Sequence, residues 1–129
     1  MSISIPKPGA PVRGSKSGKP IMALFDLLGR SWALGILWQL SNDSLTFRQL
    51  QERCEGVSPT VLNKRLKELT QCALVGHDGS GYLLTNLGRE LFGLLAPFGD
   101  WSQKWSKAVF GEAAGGNRHT NPGSKTGSC

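Results

Sequence analysis

The chain has 129 residues, of which 39% are hydrophobic, 15 are lysine or arginine and nine are aspartate or glutamate. This length suits one compact domain and excludes two domains of ordinary size. No apolar run approaches the roughly 18 residues that cross a bilayer, and the first residues lack the basic-then-apolar pattern of a secretion signal. We therefore expect a cytoplasmic protein without membrane contact.

The residues that most often carry chemistry are few and scattered. The cysteines are Cys54, Cys72 and Cys129 and the histidines His77 and His119, with no CxxC pair. The odd cysteine count fits a reducing compartment, and the spacing predicts neither a metal site nor a bound cofactor. No nucleophile with a base and no phosphate-binding glycine motif is visible, so we do not expect an enzyme.

The net charge of +6 lies mostly in the chain ends. Residues 1–19, with a basic excess, and residues 111–129 are rich in small and polar residues, which predicts two flexible tails. The folded domain is expected over residues 20–110. Because the charge of this middle part is nearly balanced, net charge alone leaves nucleic-acid binding and simple solvation equally open.

The domain begins with two helical segments. Ile21–Leu28 is apolar almost all round, with only Asp26 polar, so this helix must be covered on both sides and a second copy of the chain is a natural cover. A break follows at Gly29, and Ser31 is expected to cap a helix from Trp32 to about Leu40.

A helix-turn-helix is indicated by two capped segments in succession. Thr46 and Gln49 form a capping box, and the helix runs to about Cys54, with Gly56 at its C′ position. Ser58 then caps a second helix whose first residue is Pro59 and whose end is about Gln71. Two short helices with a turn of three to four residues have the helix-turn-helix spacing.

The second helix has two distinct faces at ~100° per residue. Leu62, Leu66, Leu69 and Ala73 share the expected buried face, whereas Thr60, Lys64, Lys67 and Gln71 lie opposite. Such a basic face suits a major groove, with Thr60, Asn63 and Lys64 nearest the bases and Lys67 and Arg65 nearest the phosphates. The full set expected to contact DNA is Arg48, Ser58, Pro59, Thr60, Asn63, Lys64, Arg65, Lys67 and His77.

The rest of the domain predicts a wing and a long helix. Asp78–Gly81 between apolar ends indicates a tight hairpin, and Thr85 caps a helix in which Pro97 can produce a kink. We expect homodimerisation through the apolar faces of the first and last helices, by Ile21, Leu24, Phe25, Leu28, Leu94, Leu95, Phe98, Trp101 and Trp105.

These elements predict a mainly α domain with a small β-hairpin, a winged helix-turn-helix. The favoured function is a sequence-specific double-stranded DNA-binding regulator. One alternative is a winged-helix protein-interaction module whose basic face is only solvated. Another is a regulator that senses oxidants through Cys54 or Cys72, although buried cysteines more often serve packing. A small-molecule effector stays unidentified.

The residues also resemble the HxlR-type family of bacterial winged-helix transcriptional regulators. The resemblance covers about residues 20–107 and is most specific from Ser58 to Leu69. The other matching segments are Leu24–Trp32, Ile36–Leu40, Thr46–Leu50, Leu83–Leu91 and the end with Trp101 and Trp105. It implies a MarR-like homodimer paired through the first and last helices, commonly a repressor. The symmetry of such a dimer predicts a near-palindromic operator. Many members carry a sensing cysteine before the first helix, where this chain has Lys19-Pro20-Ile21. The wing of other members is also usually longer than the wing of this chain.

Overall fold

The computed structural model describes residues 4–116, and the side chains of residues 4–111. His119 and Cys129 and the greater part of the second predicted tail lie outside these residues. The elements in chain order are α1 (Pro20–Leu28), α2 (Ala33–Gln39), α3 (Phe47–Arg53), α4 (Pro59–Gln71), β1 (Val75–His77), β2 (Tyr82–Leu84), α5 (Asn86–Leu95) and α6 (Pro97–Gly116). This order confirms the mainly α winged helix-turn-helix.

The first helix of the helix-turn-helix, α3, is closed at both ends by its own residues. The predicted capping box is confirmed, since Thr46 Oγ1 accepts from the Gln49 N–H and the Gln49 side chain accepts from the Thr46 N–H. At the other end, the Gly56 N–H donates to the Gln51 carbonyl and the Glu55 N–H to that of Glu52. This is a Schellman motif, with Glu55 at C′ in place of the predicted Gly56, which takes the next position.

The second helix, α4, begins and ends where the sequence predicted, at Pro59 and Gln71. Ser58 Oγ accepts from the Val61 N–H, and Pro59 is the first helical residue. Ala73 was expected on the buried face, but it lies past the helix end, exposed, with a left-handed φ of 64°. The chain must turn there because Leu74 closes a second Schellman motif with Leu69 and is buried.

A single apolar core holds the helices and the hairpin together. Leu45, just before the α3 cap, and Leu50, four residues after it, are buried in this core. The three leucines of the α4 inner face are buried there too. Burial of such side chains is the main stabilising contribution to folding. Other core members are Leu27, Leu28, Ile36, Leu37, Leu40, Val57, Leu74, Val75 and Leu84.

The wing is a two-stranded antiparallel sheet in which Val75 pairs with Leu84 and His77 with Tyr82. Leu45 adds a bridge, exchanging both backbone hydrogen bonds with Tyr82 at 2.9 and 2.7 Å. Gly81 permits this approach, because a Cβ there would lie 2.8 Å from the Leu45 carbonyl oxygen. The base of the wing is therefore fixed to the residue that precedes the α3 cap.

Of two predicted helix boundaries, the one at Ser31 is wrong and the one at Pro97 is confirmed. The cap expected from Ser31 is wrong: Trp32 occupies the N-cap of α2 with a left-handed φ of 69° and makes no side-chain cap bond. The interruption at Pro97 is confirmed, since α5 ends at Leu95 and α6 begins at Pro97. Proline has no N–H to continue the hydrogen bonds of the preceding helix.

The segment before α1, residues 4–19, makes defined contacts with the rest of the domain. It contains a bridge between Val12 and Ser15, and the Gly9 N–H donates to the Gly18 carbonyl at 2.8 Å. The Arg13 N–H donates to Asp26 Oδ2 at 3.1 Å. The composition of this segment predicted a flexible tail and gave no sign of these contacts, and the contact of Arg13 depends on a carboxylate in α1.

Within residues 4–116, no single helix has both the length and the apolarity needed to cross a membrane. Helices α1 and α2 reach that threshold only together, as a pair bent by 81°.

Candidate nucleic-acid interface

The outer side of α4 carries a polar and basic face, which we call the recognition face: Thr60, Asn63, Lys64 and Lys67. All four side chains are exposed, as the helical spacing predicted. Within residues 4–116, neither lysine makes an ion pair. This face forms one wall of an open cavity of about 820 Å³. The two ammonium groups are therefore available to a ligand.

The cavity is positively charged. Its lining includes five lysine and arginine side chains and two carboxylates, which gives a formal charge of +3. The lining also includes Ser4 and Arg13 of the N-terminal segment. Concave surfaces lined mainly by one sign of charge concentrate counter-ions, so this cavity favours an anionic partner such as a phosphate backbone.

Arg65, which the sequence predicts to contact a phosphate, makes two hydrogen bonds within the domain. Its Nε donates to the Ser31 carbonyl at 2.7 Å and its Nη1 to Glu68 Oε1 at 3.3 Å. Only 15% of the side chain is exposed. The guanidinium fixes the loop before α2 to α4, and its predicted contact with DNA stays a prediction.

Sequence reasoning missed the carboxylate that organises this region. Glu68 is 1% exposed, and its Oε2 lies 3.0 Å from Arg30 Nη1. Arg30 Nε in turn lies 3.4 Å from Asp26 Oδ1 in α1. The pair Asp26 and Arg30 was visible as an i, i+4 spacing, but nothing in the sequence linked it to Glu68. The resulting chain of charges connects α1 to α4.

The other predicted DNA contacts lie on separate elements. Ser58 and Pro59 are exposed at the start of α4, and Arg48 is exposed on α3. His77 is exposed at the end of β1, where its ring contacts Tyr82 edge to face with centroids 4.6 Å apart and its Nδ1 accepts from the Gly79 N–H. Neither Arg48 nor His77 lines the cavity.

The tip of the wing is anionic. Asp78 Oδ1 accepts from the N–H and hydroxyl of Ser80 and from the Gly81 N–H, and these hydrogen bonds lower the pKa of the Asp78 carboxyl. The carboxylate therefore stays ionised at neutral pH and opposes a close phosphate contact.

A large apolar surface lies on α1, α5 and α6. Most of the residues expected to form the dimer are exposed there: Ile21, Phe25, Leu94, Phe98, Trp101 and Trp105. Leu24 and Leu95 are half-buried, whereas Leu28 belongs to the core of the protomer and offers no free surface. Exposed apolar patches of this extent mark interaction sites in folded proteins.

The described cysteines are poorly placed for thiol chemistry. Cys54 is fully buried. Cys72 is half-buried at an apolar groove between α1 and α5, and burial raises the pKa of its thiol despite the opposing effect of Arg30. A raised pKa lowers the fraction of reactive thiolate at neutral pH. Among residues 4–111, no cluster of three or more His, Cys, Asp or Glu side chains is arranged to hold a metal ion.

Comparisons with known proteins agree with this geometry. Residues 27–110 match the family model described as HxlR-like helix-turn-helix. The chain is 31% identical over 91 residues to an HTH-type transcriptional regulator of Methanocaldococcus jannaschii, MJ0925, covering 67% of this chain and 86% of the relative. It is also 31% identical over 92 residues to the HTH-type transcriptional regulator YvaP of Bacillus subtilis, covering 66% and 85%.

A solved structure extends the likeness to the fold. The quinone-bound form of YodB from B. subtilis superposes with a TM-score of 0.61 at 28% identity, covering 65% of this chain and 96% of YodB. Together with the exposed basic face of α4, these matches establish the family. The chain belongs to the HxlR-like helix-turn-helix family of DNA-binding transcriptional regulators.

Proposed function

We propose that this protein is a homodimeric repressor that reads a near-palindromic double-stranded DNA operator with α4. One observation carries the proposal: the recognition face is exposed and basic, and its two lysines make no ion pairs among the described residues. Buried ionic contacts hold the helix behind this face, so the face is fixed before DNA arrives. A rigid, cationic helix of this kind fits the width of the major groove.

Each residue of the recognition face has a role in this proposal. Thr60 and Asn63, near the start of α4, contact base edges, and Lys64 reaches a base or the adjacent phosphate. Lys67 binds a backbone phosphate. Arg48 on α3, together with Ser58 and Pro59 at the start of α4, supplies further backbone contacts.

Dimerisation places two copies of α4 on one duplex. The apolar surface of α1, α5 and α6 supports a second copy as its cover, because a continuous exposed face of aromatic and aliphatic side chains is unfavourable in water. A two-fold axis through this surface requires a near-palindromic site whose halves are about one helical turn apart. A dimer bound there obstructs polymerase, and the protein acts where the chromosome lies, in the cytoplasm of a prokaryotic cell.

The double variant Lys64→Ala, Lys67→Ala tests the proposal. We expect weaker binding to genomic fragments selected by the wild-type protein. The slope of log K against log salt concentration should become shallower by about one for each phosphate contact that the two lysines make. Lys104→Ala, Lys107→Ala is the matched control, since it removes two exposed lysines with the same spacing from α6. Equal binding by both variants would contradict the proposed interface.

The two alternative functions predict different results. A winged-helix protein-interaction module would give no selected fragments even with the wild-type protein. A thiol-sensing regulator would lose its oxidant response after Cys54→Ser or Cys72→Ser. The burial of Cys54 and the raised thiol pKa of Cys72 argue against that second alternative.

A further inference from the structure

The N-terminal segment, residues 4–19, contains four cations, Lys7, Arg13, Lys16 and Lys19, and no acidic residue. Parts of this segment contact the rest of the domain. Ser4 and Arg13 line the same cationic cavity as Lys64 and Lys67. The Ser4 carbonyl accepts from Arg30 Nη1 at 3.0 Å, which fixes the beginning of the segment beside the network that supports α4.

Arg13 is the cation of this segment whose position the structure defines best. Its backbone N–H donates to Asp26 Oδ2, its Nη2 donates to the Asp26 carbonyl at 3.4 Å, and its Nε lies 3.7 Å from Asp26 Oδ1. Yet 64% of the side chain is exposed. The guanidinium is therefore held in place on one side and open to solvent on the other.

A cation with these properties is suited to a phosphate. Guanidinium groups present several donors in a planar arrangement that matches phosphate oxygens. Because Asp26 already orders Arg13, binding costs less side-chain entropy than it would for a free surface lysine. The cavity that Arg13 and the recognition face both line carries a formal charge of +3, which attracts a polyanion such as a nucleic acid backbone.

From these observations, we propose that the N-terminal segment is a second DNA-contacting element, in which Arg13 binds a backbone phosphate of the duplex that α4 reads. The proposal rests on DNA binding by α4. It assigns the segment a part in affinity and none in sequence selection, because a phosphate contact carries no base information.

The test compares Arg13→Gln with Arg13→Lys in the full chain. The probes are a genomic fragment selected by the wild-type protein and a mixed-sequence duplex of the same length. For Arg13→Gln, we expect weaker binding to both probes by a similar factor and a salt slope shallower by about one. Arg13→Lys should retain most of the slope, since it keeps the charge. Lys104→Gln, outside the cavity, should leave the slope unchanged.

Each result has a defined consequence. A wild-type slope in Arg13→Gln, with wild-type binding intact, overturns this inference and leaves the proposed function standing. No binding by the wild-type protein overturns both. A loss confined to the selected fragment would also overturn it, since that result assigns Arg13 to base reading. Thermal unfolding of each variant checks folding; if Arg13→Gln unfolds, the triple variant Lys7→Gln, Lys16→Gln, Lys19→Gln, which leaves the Asp26 contacts intact, must lower the slope.

Discussion

Arg30 Nη1 lies 3.0 Å from Glu68 Oε2, so a guanidinium just after α1 is paired with a carboxylate of α4 that is 1% exposed. Arg30 also reaches Asp26 within α1, and Glu68 also accepts from Arg65. The helix expected to form the dimer is thereby connected to the helix expected to read DNA. Any change in the angle between them must break or rearrange these contacts.

Replacing Arg30 with Met removes the central member of this network. Glu68 keeps Arg65 but loses its shorter ion pair, and a buried carboxylate with a missing partner is costly, so we expect the free energy of unfolding to fall by about 3 kcal/mol. Arg53→Met is the control, because the Arg53–Asp43 pair is 3.9 Å long and exposed and should contribute less than about 1 kcal/mol. Chemical denaturation measures both; equal losses would contradict a structural role for the network.

Gly88 lies where the start of α5 meets the end of α4. Its N–H donates to Thr85 Oγ1, and Thr85 itself binds the Ala73 carbonyl at 2.6 Å. A Cβ at Gly88 would overlap the carbonyl oxygen of Leu74. Since the backbone at Gly88 or at Leu74 must move to relieve this overlap, we expect Gly88→Ala to destabilise the domain by about 3 kcal/mol or more.

Gly93 in the same helix provides the comparison for Gly88. A Cβ added there meets no atom within 4 Å. Because alanine favours helix over glycine, Gly93→Ala should be neutral or stabilising by up to about 1 kcal/mol. Thermal unfolding of the two variants side by side measures the contrast. A tolerated Gly88→Ala would show that α5 does not approach the end of α4 this closely.

Cys72 should behave as a weakly reactive thiol. Burial raises its pKa above the ordinary 9.0, so the folded state disfavours the thiolate. The contribution of this thiol to the free energy of unfolding is therefore fully present below pH 9.0, and it is lost as the pH rises through the higher pKa of the folded state. We expect iodoacetamide to modify Cys72 much more slowly in the native protein than in denaturant, with the difference read by peptide mass spectrometry. Equal rates would restore the thiol-sensing alternative.

How much could be predicted from the sequence depended on the range of the interactions. Thr46 with Gln49, and Ser58 with Pro59, are local signals, and both helix starts were confirmed. The predicted C′ position of Gly56 and the predicted N-cap of Ser31 were each wrong by one residue. Glu55 and Trp32 take these positions with left-handed backbone conformations, which residues of their type rarely adopt. Tertiary packing overrides residue preference at such positions.

The candidate site divides in the same way. Exposure of Thr60, Asn63, Lys64 and Lys67 follows from the helical period alone. The structural role of Arg65 does not, because it depends on Glu68 and on the Ser31 carbonyl, which the fold brings from a distant part of the chain. Helical position identified the face, whereas the partners of its charged residues required the fold.

The dimer provides the last prediction. Leu94 is 73% exposed on α5 beside the groove with α1, and in the proposed dimer a second copy of the chain covers this apolar side chain. We expect light scattering at micromolar concentration to give twice the chain mass of 13.9 kDa for the wild-type protein and a monomer for Leu94→Glu, because a buried unpaired carboxylate is unfavourable at an interface. Leu34→Glu, on α2, is the matched control and should remain a dimer. A wild-type monomer, or loss of the dimer in both variants, would contradict pairing through α1, α5 and α6, and the paired spacing of the operator halves would lose its basis.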